Sequence, residues 1–184
     1  MDWQPLDLRG CFHGKFHAMG DPRGTFNKVF HKTSVEGVLP RFEPREVYVT
    51  QSVKGVLRGM HFQLPPHAHG KIVTCLSGKV LDVLLDLRDG PDFGRAISLE
   101  MTPETINTVV IPKGCAHGFL ALEESTALAY TVETEHAPDH DAGISWDSFG
   151  FDWPVSMPIL SKRDMTHPKL SEFSAPRHWD HASE

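Results

Sequence analysis

The sequence predicts an all-β protein, a sandwich or barrel built from about nine short strands. Short stretches either alternate apolar with polar residues or run apolar throughout. Turn signals rich in Gly, Pro and Asp separate them, and no stretch sustains a helical period. At 184 residues the chain fits one domain, residues 1–184. With 40% hydrophobic and 23% charged residues it can bury a core and keep a solvated surface.

Residues 1–20 are rich in Gly and His and show no periodicity. Asp21-Pro22-Arg23-Gly24 is a turn, with Pro at the first central position and Gly closing it. Residues 25–30 then alternate as a strand. Residues 31–44, with Pro40 and Pro44, read as a short helix or loop. Residues 46–52 alternate again, and Lys54-Gly55 turns the chain into a strand at 56–63. Strands at 71–76 and 79–87 follow, joined by Ser77-Gly78, a tight hairpin signal. Asp89-Gly90-Pro91-Asp92 leads to a strand at 96–101 and Thr102-Pro103-Glu104 to one at 107–111. Pro112-Lys113-Gly114 and Glu123-Glu124-Ser125 lead to the last two, at 118–122 and 126–133. Beyond 135 lies a Pro- and Asp-rich tail whose Trp146 and Trp153 predict that it wraps on the barrel. Residues 161–164 open a short helix, with Ser161 and Asp164 at capping-box spacing.

The net charge of −6 speaks against a nucleic-acid partner, although local basic residues suit a phosphorylated small molecule. No apolar run is long enough to span a membrane, and the first residues lack a basic-then-apolar leader pattern. Cys11, Cys75 and Cys115 are odd in number and form no Cys-x-x-Cys pair. Reduced thiols and a cytoplasmic location follow as expectations.

The strand at 56–63 carries an unusual polar load. Gly55-Val56-Leu57-Arg58-Gly59-Met60-His61-Phe62-Gln63 sets an arginine, a histidine and a glutamine in an apolar run. Apolar strands seldom hold that much polar side chain without a ligand to receive it. An imidazole titrates near 6.5, so His61 suits a general base, although taken alone it reads as a structural histidine. Period two sets Leu57, Gly59, His61 and Gln63 on one face and Arg58 on the other. Arg58 and His61 therefore share a ligand only if Gly59 marks a bulge or the strand lies at a barrel mouth. Lys71, at the start of a buried strand, is placed to stabilise an enolate oxygen. Tyr130 could donate a proton, or be an ordinary half-buried strand aromatic. Asp164 reads equally as a helix cap.

His67-Ala68-His69 and Pro112-x-Gly114-x-x-His117 have the spacing of the two histidine motifs of metal-binding cupin barrels. Where such a site needs a glutamate, this chain has Lys71, whose ammonium repels a cation. The expectation is the barrel without a metal. A metal-dependent cupin oxygenase using His67, His69 and His117 is the rival reading.

Several motifs then occur in one order: Asp21-Pro22-Arg23-Gly24-x-Phe26, the 55–63 stretch, Lys71, and Val80-Leu81-Asp82-Val83-x-x-Asp86-Leu87-Arg88. Ile111-Pro112-x-Gly114-x-Ala116-His117-Gly118-Phe119, Tyr130, Gly143-Ile144-x-Trp146-Asp147, Asp152-Trp153-Pro154 and Ile159-Leu160-Ser161-x-x-Asp164 follow. Over roughly residues 20–165 the chain resembles the dTDP-4-dehydrorhamnose 3,5-epimerase family, leaving 166–184 as a C-terminal tail. The resemblance implies a cupin-type jelly-roll barrel with a short C-terminal helical segment, a homodimer, and no metal or cofactor. It implies His61 as the base, Asp164 as its partner, Tyr130 as proton donor and Lys71 at the enolate oxygen. Arg23, Phe26, Arg58, Gln63 and His117 fall at substrate-binding positions.

The outer pocket departs from the pattern. His136 stands for a tyrosine that stacks on thymine, Lys28 for an acidic residue, and Glu46-x-Tyr48 for a Gln-x-Asn pair. Asp141 replaces a glutamate, and Thr131 a lysine. The expected reaction is inversion at C3, C5 or both of a nucleotide-linked 4-keto-6-deoxy or related sugar, in deoxysugar or polysaccharide biosynthesis. The altered outer pocket leaves the nucleotide open. A sugar-nucleotide 3,4-ketoisomerase and a non-catalytic sugar-nucleotide-binding cupin are further rivals.

Overall fold

The computed structural model describes residues 2–16 and 18–179, so 180–184 of the tail lie outside the described residues. Alternating runs become strands because every second side chain can be buried while the backbone is paired on both sides. Strands β1 (Gln4–Pro5), β2 (Phe12–Gly14), β5 (Glu46–Ser52), β7 (Lys71–Ser77), β10 (Thr108–Ile111) and β12 (Thr126–Val132) form a six-stranded sheet, ordered β1-β2-β10-β7-β12-β5. Strands β6 (Leu57–Gln63), β8 (Val80–Asp86), β9 (Ala96–Met101), β11 (Cys115–Ala121) and β13 (Asp141–Gly143) form a five-stranded sheet, ordered β13-β6-β11-β8-β9. Strands β3 (Ala18–Asp21) and β4 (Gly24–Asn27) pair only with each other. Helix α1 (Lys32–Glu36) lies in the segment expected to be short helix or loop. No helix among the described residues is long and apolar enough to cross a membrane.

Three apolar layers follow from the alternation. Val73, Cys75, Val109, Ile111 and Leu128 of the six-stranded sheet meet Val80, Leu84, Leu99, Met101 and Phe119 of the five-stranded sheet in the barrel interior. Ile72 and Val110 point the other way, against Val35 and Phe42. Met60, Phe62, Val83, Leu85 and Ala116 form the outer face of the five-stranded sheet. The tail covers that face with Phe149, Phe151, Trp153, Leu170, Phe173 and Trp179, as its aromatic residues predicted. Trp153 Nε1 donates to the Trp146 carbonyl at 2.8 Å. Each large apolar side chain so buried contributes about 1.5–3 kcal/mol.

The expected strands are present, but one connection differs. Ser77-Gly78 does not close a hairpin. β7 pairs with β10 and β12, whereas β8 pairs with β11 and β9. Both strands are apolar on two faces and interior to their sheets, so the turn carries the chain from one sheet to the other. Such crossings make the two sheets a jelly roll. β1, β2, β3 and β13 are too short to carry a readable alternation. The strand expected at 25–30 is the shorter β4, and that expected at 118–122 begins at Cys115.

Strand β6 holds the distortion on which the polar residues depend. His61 pairs with His117, but Arg58 pairs with Phe119, so three steps on β6 match two on β11. This bulge turns Arg58 and His61 to the same inner face, against strict period two. Gly59 adopts φ +140°, and a Cβ there would lie 2.5 Å from Gly118 Cα. Gly59→Ala should therefore lower stability by about 1–3 kcal/mol from backbone strain alone, with contact strain added. Gly37, at φ −71° with open space around it, is the control. Urea unfolding should show a clear loss for Gly59→Ala and none for Gly37→Ala.

Candidate active site

The bulged strand opens onto a cavity of about 330 Å³ between the sheets. β6 and β11 of one sheet supply Arg58, His61 and His117; β5, β7 and β12 of the other supply Glu46, Tyr48, Lys71 and Tyr130. The tail closes one side. Ile159 bridges Val56 in parallel, with Leu57 N donating to Ile159 O at 3.1 Å. β13 runs antiparallel beside β6, Gly143 opposite His61. The chain then enters a 3-10 turn, Asp164–Thr166, whose first residue faces His61.

His61 Nε2 and Asp164 Oδ1 are 2.5 Å apart, and Asp164 is almost wholly buried. Ser161 Oγ caps the turn by accepting from Asp164 N at 3.0 Å. The same hydroxyl lies beside the Asp164 carboxylate, so the cap and the histidine both act on it. Burial pushes the Asp164 carboxyl up, but contacts from His167, His61 and Ser161 outweigh it and hold the group below the usual carboxylate range. Burial lowers His61 and Asp164 pulls it back; the balance leaves it below the ordinary imidazole value. At neutral pH the ring is uncharged and able to take a proton.

Lys71 is buried, and its Nζ donates to the His61 carbonyl at 3.2 Å. Burial brings its pKa down to about 8, opposed chiefly by Asp141 and less by Cys115 and Asp82. Tyr130 is buried and stacks on Tyr48, ring centroids 4.7 Å apart and planes 9° from parallel. Burial raises the phenol of Tyr130 well above its ordinary value and that of Tyr48 to about 12. Both therefore stay protonated at neutral pH. His117 Nε2 contacts Asp82 Oδ2 at 2.7 Å, with both side chains buried.

The cavity rim is tied by its own polar groups. Gln63 Nε2 donates to the His67 carbonyl and the Thr134 hydroxyl, while its Oε1 accepts from Ala137 N at 2.7 Å. Gln63 thus lines the cavity with its amide already committed to shaping the rim. His136 lines the rim, its backbone N–H on Glu46 Oε2 at 2.8 Å. Asp141 pairs with Arg163 at 2.7 Å. Arg58 is steadied by Ser52 Oγ at 3.1 Å and the Gln51 carbonyl at 3.0 Å.

Three expected substrate-binding residues do not join this group within one chain. Arg23 and Phe26 lie on the β3–β4 hairpin and Lys28 just beyond it, all exposed and none lining the cavity. The hairpin pairs only with itself, and Asp21 holds the Arg23 guanidinium. The metal-cupin histidines do not converge either. His117 is held by Asp82; His69 Nδ1 contacts Thr134 Oγ1 at 2.6 Å; His67 packs on His140. Among the described residues, the one His/Asp cluster whose donor atoms all lie within 4.8 Å of one another is His61, Asp164 and His167. Two of those three are the hydrogen-bonded pair above.

Asp82, Arg163, Thr50 and His167 are at or beside the site, and the sequence reading gave them no role. Asp82 had a signal: a carboxylate inside the apolar run Val80-Leu81-Asp82-Val83. The other three sit in contexts that nothing local marks.

A family model described as dTDP-4-dehydrorhamnose 3,5-epimerase matches residues 5–172. A dTDP-4-dehydrorhamnose 3,5-epimerase of Shigella flexneri is 37% identical over 155 residues, covering 82% of this chain and 86% of that protein. An epimerase structure from Mycobacterium tuberculosis superposes with a TM-score of 0.88 at 32% identity, covering 94% of this chain and 90% of that one. A 3'-monoepimerase of Streptomyces bikiniensis, in complex with dTDP-quinovose, superposes with a TM-score of 0.84 at 30% identity, covering 91% of this chain and 87% of that one. With its jelly-roll barrel and its histidine–aspartate pair facing a buried lysine and tyrosine, the chain belongs to the dTDP-4-dehydrorhamnose 3,5-epimerase family.

Proposed function

We propose that the chain epimerises a nucleotide-linked 4-keto-6-deoxy sugar at C3, C5 or both by proton removal and return within this cavity. The observation that carries the reading is the His61–Asp164 pair facing Tyr130 from the opposite sheet, with Lys71 beside it. A ketone at C4 acidifies the C–H bonds at C3 and C5. With Nε2 engaged by Asp164, Nδ1 of His61 takes the proton. The electron pair moves into the carbonyl, and the Lys71 ammonium stabilises the enolate oxygen. Tyr130, on the other sheet, returns a proton to the opposite face, which inverts the centre. Exchange with solvent then resets both residues. The ketone is the electron sink, so the proton transfers need no cofactor. His117, held by Asp82, and the Arg58 guanidinium bind the sugar and diphosphate portion. Glu46, Tyr48, His136 and Asp141 face the outer part of the substrate.

The neighbours include both a 3,5-epimerase and a 3'-monoepimerase, and the number of inverted centres is read directly from labelling. Incubation with 4-keto-6-deoxy sugar nucleotides in D2O should place deuterium at C3, C5 or both. His61→Asn should cut this exchange by about 10²–10⁴-fold, and Tyr130→Phe should suppress inversion more than proton loss. Absence of deuterium at either carbon with every nucleotide tried, or a product in which the carbonyl has moved, overturns the reading.

The pH profile follows from the two shifted groups. His61 must be neutral and its pKa is lowered, so the acidic limb of kcat/KM should fall below about 6.5. Lys71 must be charged, so activity should decline as pH rises through about 8. Lys71→Arg, which stays protonated, should lower kcat but remove that alkaline decline.

The enzyme acts as a homodimer in the cytoplasm, with its buried cysteines reduced. Support for the dimer comes from two exposed apolar surfaces. β5 is a sheet edge whose Val47 and Val49 are 63% and 54% exposed, next to the cavity-lining Glu46, Tyr48 and Thr50. The β3–β4 hairpin exposes Met19 at 64% and Phe26 at 57%. An open edge of this kind is a template for a second chain. Docking the hairpin of one protomer beside β5 of its partner would bring Arg23, Phe26 and Lys28 to the partner's cavity. Co-refolding Arg23→Ala with His61→Asn tests this. If Arg23 acts across the interface, mixed dimers hold one intact site, and about one quarter of wild-type activity returns. If it acts within its own chain, no activity returns.

A further inference from the structure

Asp164 has a second neighbour that the proton transfers above do not use. His167 lies in the turn that begins at Asp164, and its Nε2 is 3.4 Å from the Oδ1 that binds His61. Its ring meets the His61 ring edge-on, centroids 5.5 Å apart at 73°. The His167 side chain is only 9% exposed, and Nε2 finds no well-aligned hydrogen-bond partner. A buried polar atom left in that state is destabilising, so its place calls for a reason.

The reason lies in β13. A Cβ on Gly143 would stand 2.5 Å from the His167 ring, so the ring occupies the space a side chain there would fill. Gly143 is the residue paired with His61. The ring is thus wedged between the strand that neighbours the base and the carboxylate that orients it. Among the described residues, the carboxylate beside the imidazole is Asp164.

We infer that His167 is a positioning residue for the reaction, a second clamp on the Asp164 oxygen that orients His61. The inference rests on the reading of His61 as the base. One carboxylate oxygen facing two imidazoles cannot give its full charge to either. His167 therefore fixes the carboxylate and also moderates how strongly it favours the protonated form of His61. Other charged groups face the same place: Arg163 from the turn, Asp141 from β13, and Lys71 from the start of β7. Arg163 acts on His61 in the same direction as His167, and Asp164 acts against both.

The test is the pH profile of kcat/KM for His167→Phe and His167→Gln beside the wild type. Phe keeps a ring over Gly143 without a nitrogen; Gln restores a donor. The Phe variant should move the acidic limb upward by roughly half a pH unit, with a larger loss at pH 6 than at pH 8 and KM changed less than about twofold. Gln should return the limb toward wild type. His167→Leu, smaller and equally without a donor, carries the same expectation if the Phe variant does not fold. An acidic limb unmoved in the Phe and Leu variants, or equal losses for Phe and Gln at every pH, overturns the inference and leaves His167 as packing. That result would stand apart from failure of the base itself, which is read from deuterium exchange in His61→Asn.

Discussion

The close approach of Gly59 to Gly118 is the constraint on which the site depends. A regular strand would send Arg58 and His61 to opposite faces. One of them would then lie among Met60 and Phe62 against the tail, where a charge has no partner. The bulge absorbs one residue of β6 and keeps both polar side chains inside. Side chains larger than hydrogen at either glycine would force the strands apart there. The two glycines thus convert an ordinary sheet position into one that delivers a histidine and an arginine to the same cavity.

The interior mixes apolar residues from both sheets with Lys71, Asp82, His117 and Asp164, all buried. Burying so many ionisable groups is costly unless each is paired. Asp82 is paired with His117 and Asp164 with His61. Among the described residues Lys71 has a carbonyl and more distant carboxylates for partners, and burial lowers its pKa. A cation held this way gains most when an anion forms beside it, as the proposed enolate would. In the proposed reaction, this uncompensated lysine is a store of transition-state stabilisation.

Much of this was legible in the sequence, and the illegible parts have physical causes. Alternation revealed the long strands because each has one face in a core, but alternation does not say which strand pairs with which. Ser77-Gly78 looks like a hairpin locally, and only the double-sided burial of β7 and β8 shows that it must cross between sheets. The bulge was legible only as a condition, stated by the conflict between Arg58 and His61. The union of His61 with Asp164 spans 103 positions and came from ordered motifs, since no local pattern links a strand to a distant turn. Arg23, Phe26 and Lys28 show the opposite limit. Their motif is clear, yet a single chain leaves them outside the cavity, because a residue pattern does not record where a hairpin that pairs with itself will lie.

On the proposed mechanism the tail makes catalysis depend on a segment that attaches to β6. β13, the Ile159 bridge and the Asp164 turn all attach to β6, and the aromatic residues between and after them cover the outer face of the same sheet. Local opening of such a layer costs less than global unfolding, because fewer apolar contacts are lost. Opening it would remove Asp164 and His167 together and leave His61 with no partner while Tyr130 and Lys71 stay in place. A barrel alone would hold Tyr130 and Lys71, but His61 has its carboxylate partner only with the tail docked, so on the proposed mechanism the base depends on that docking.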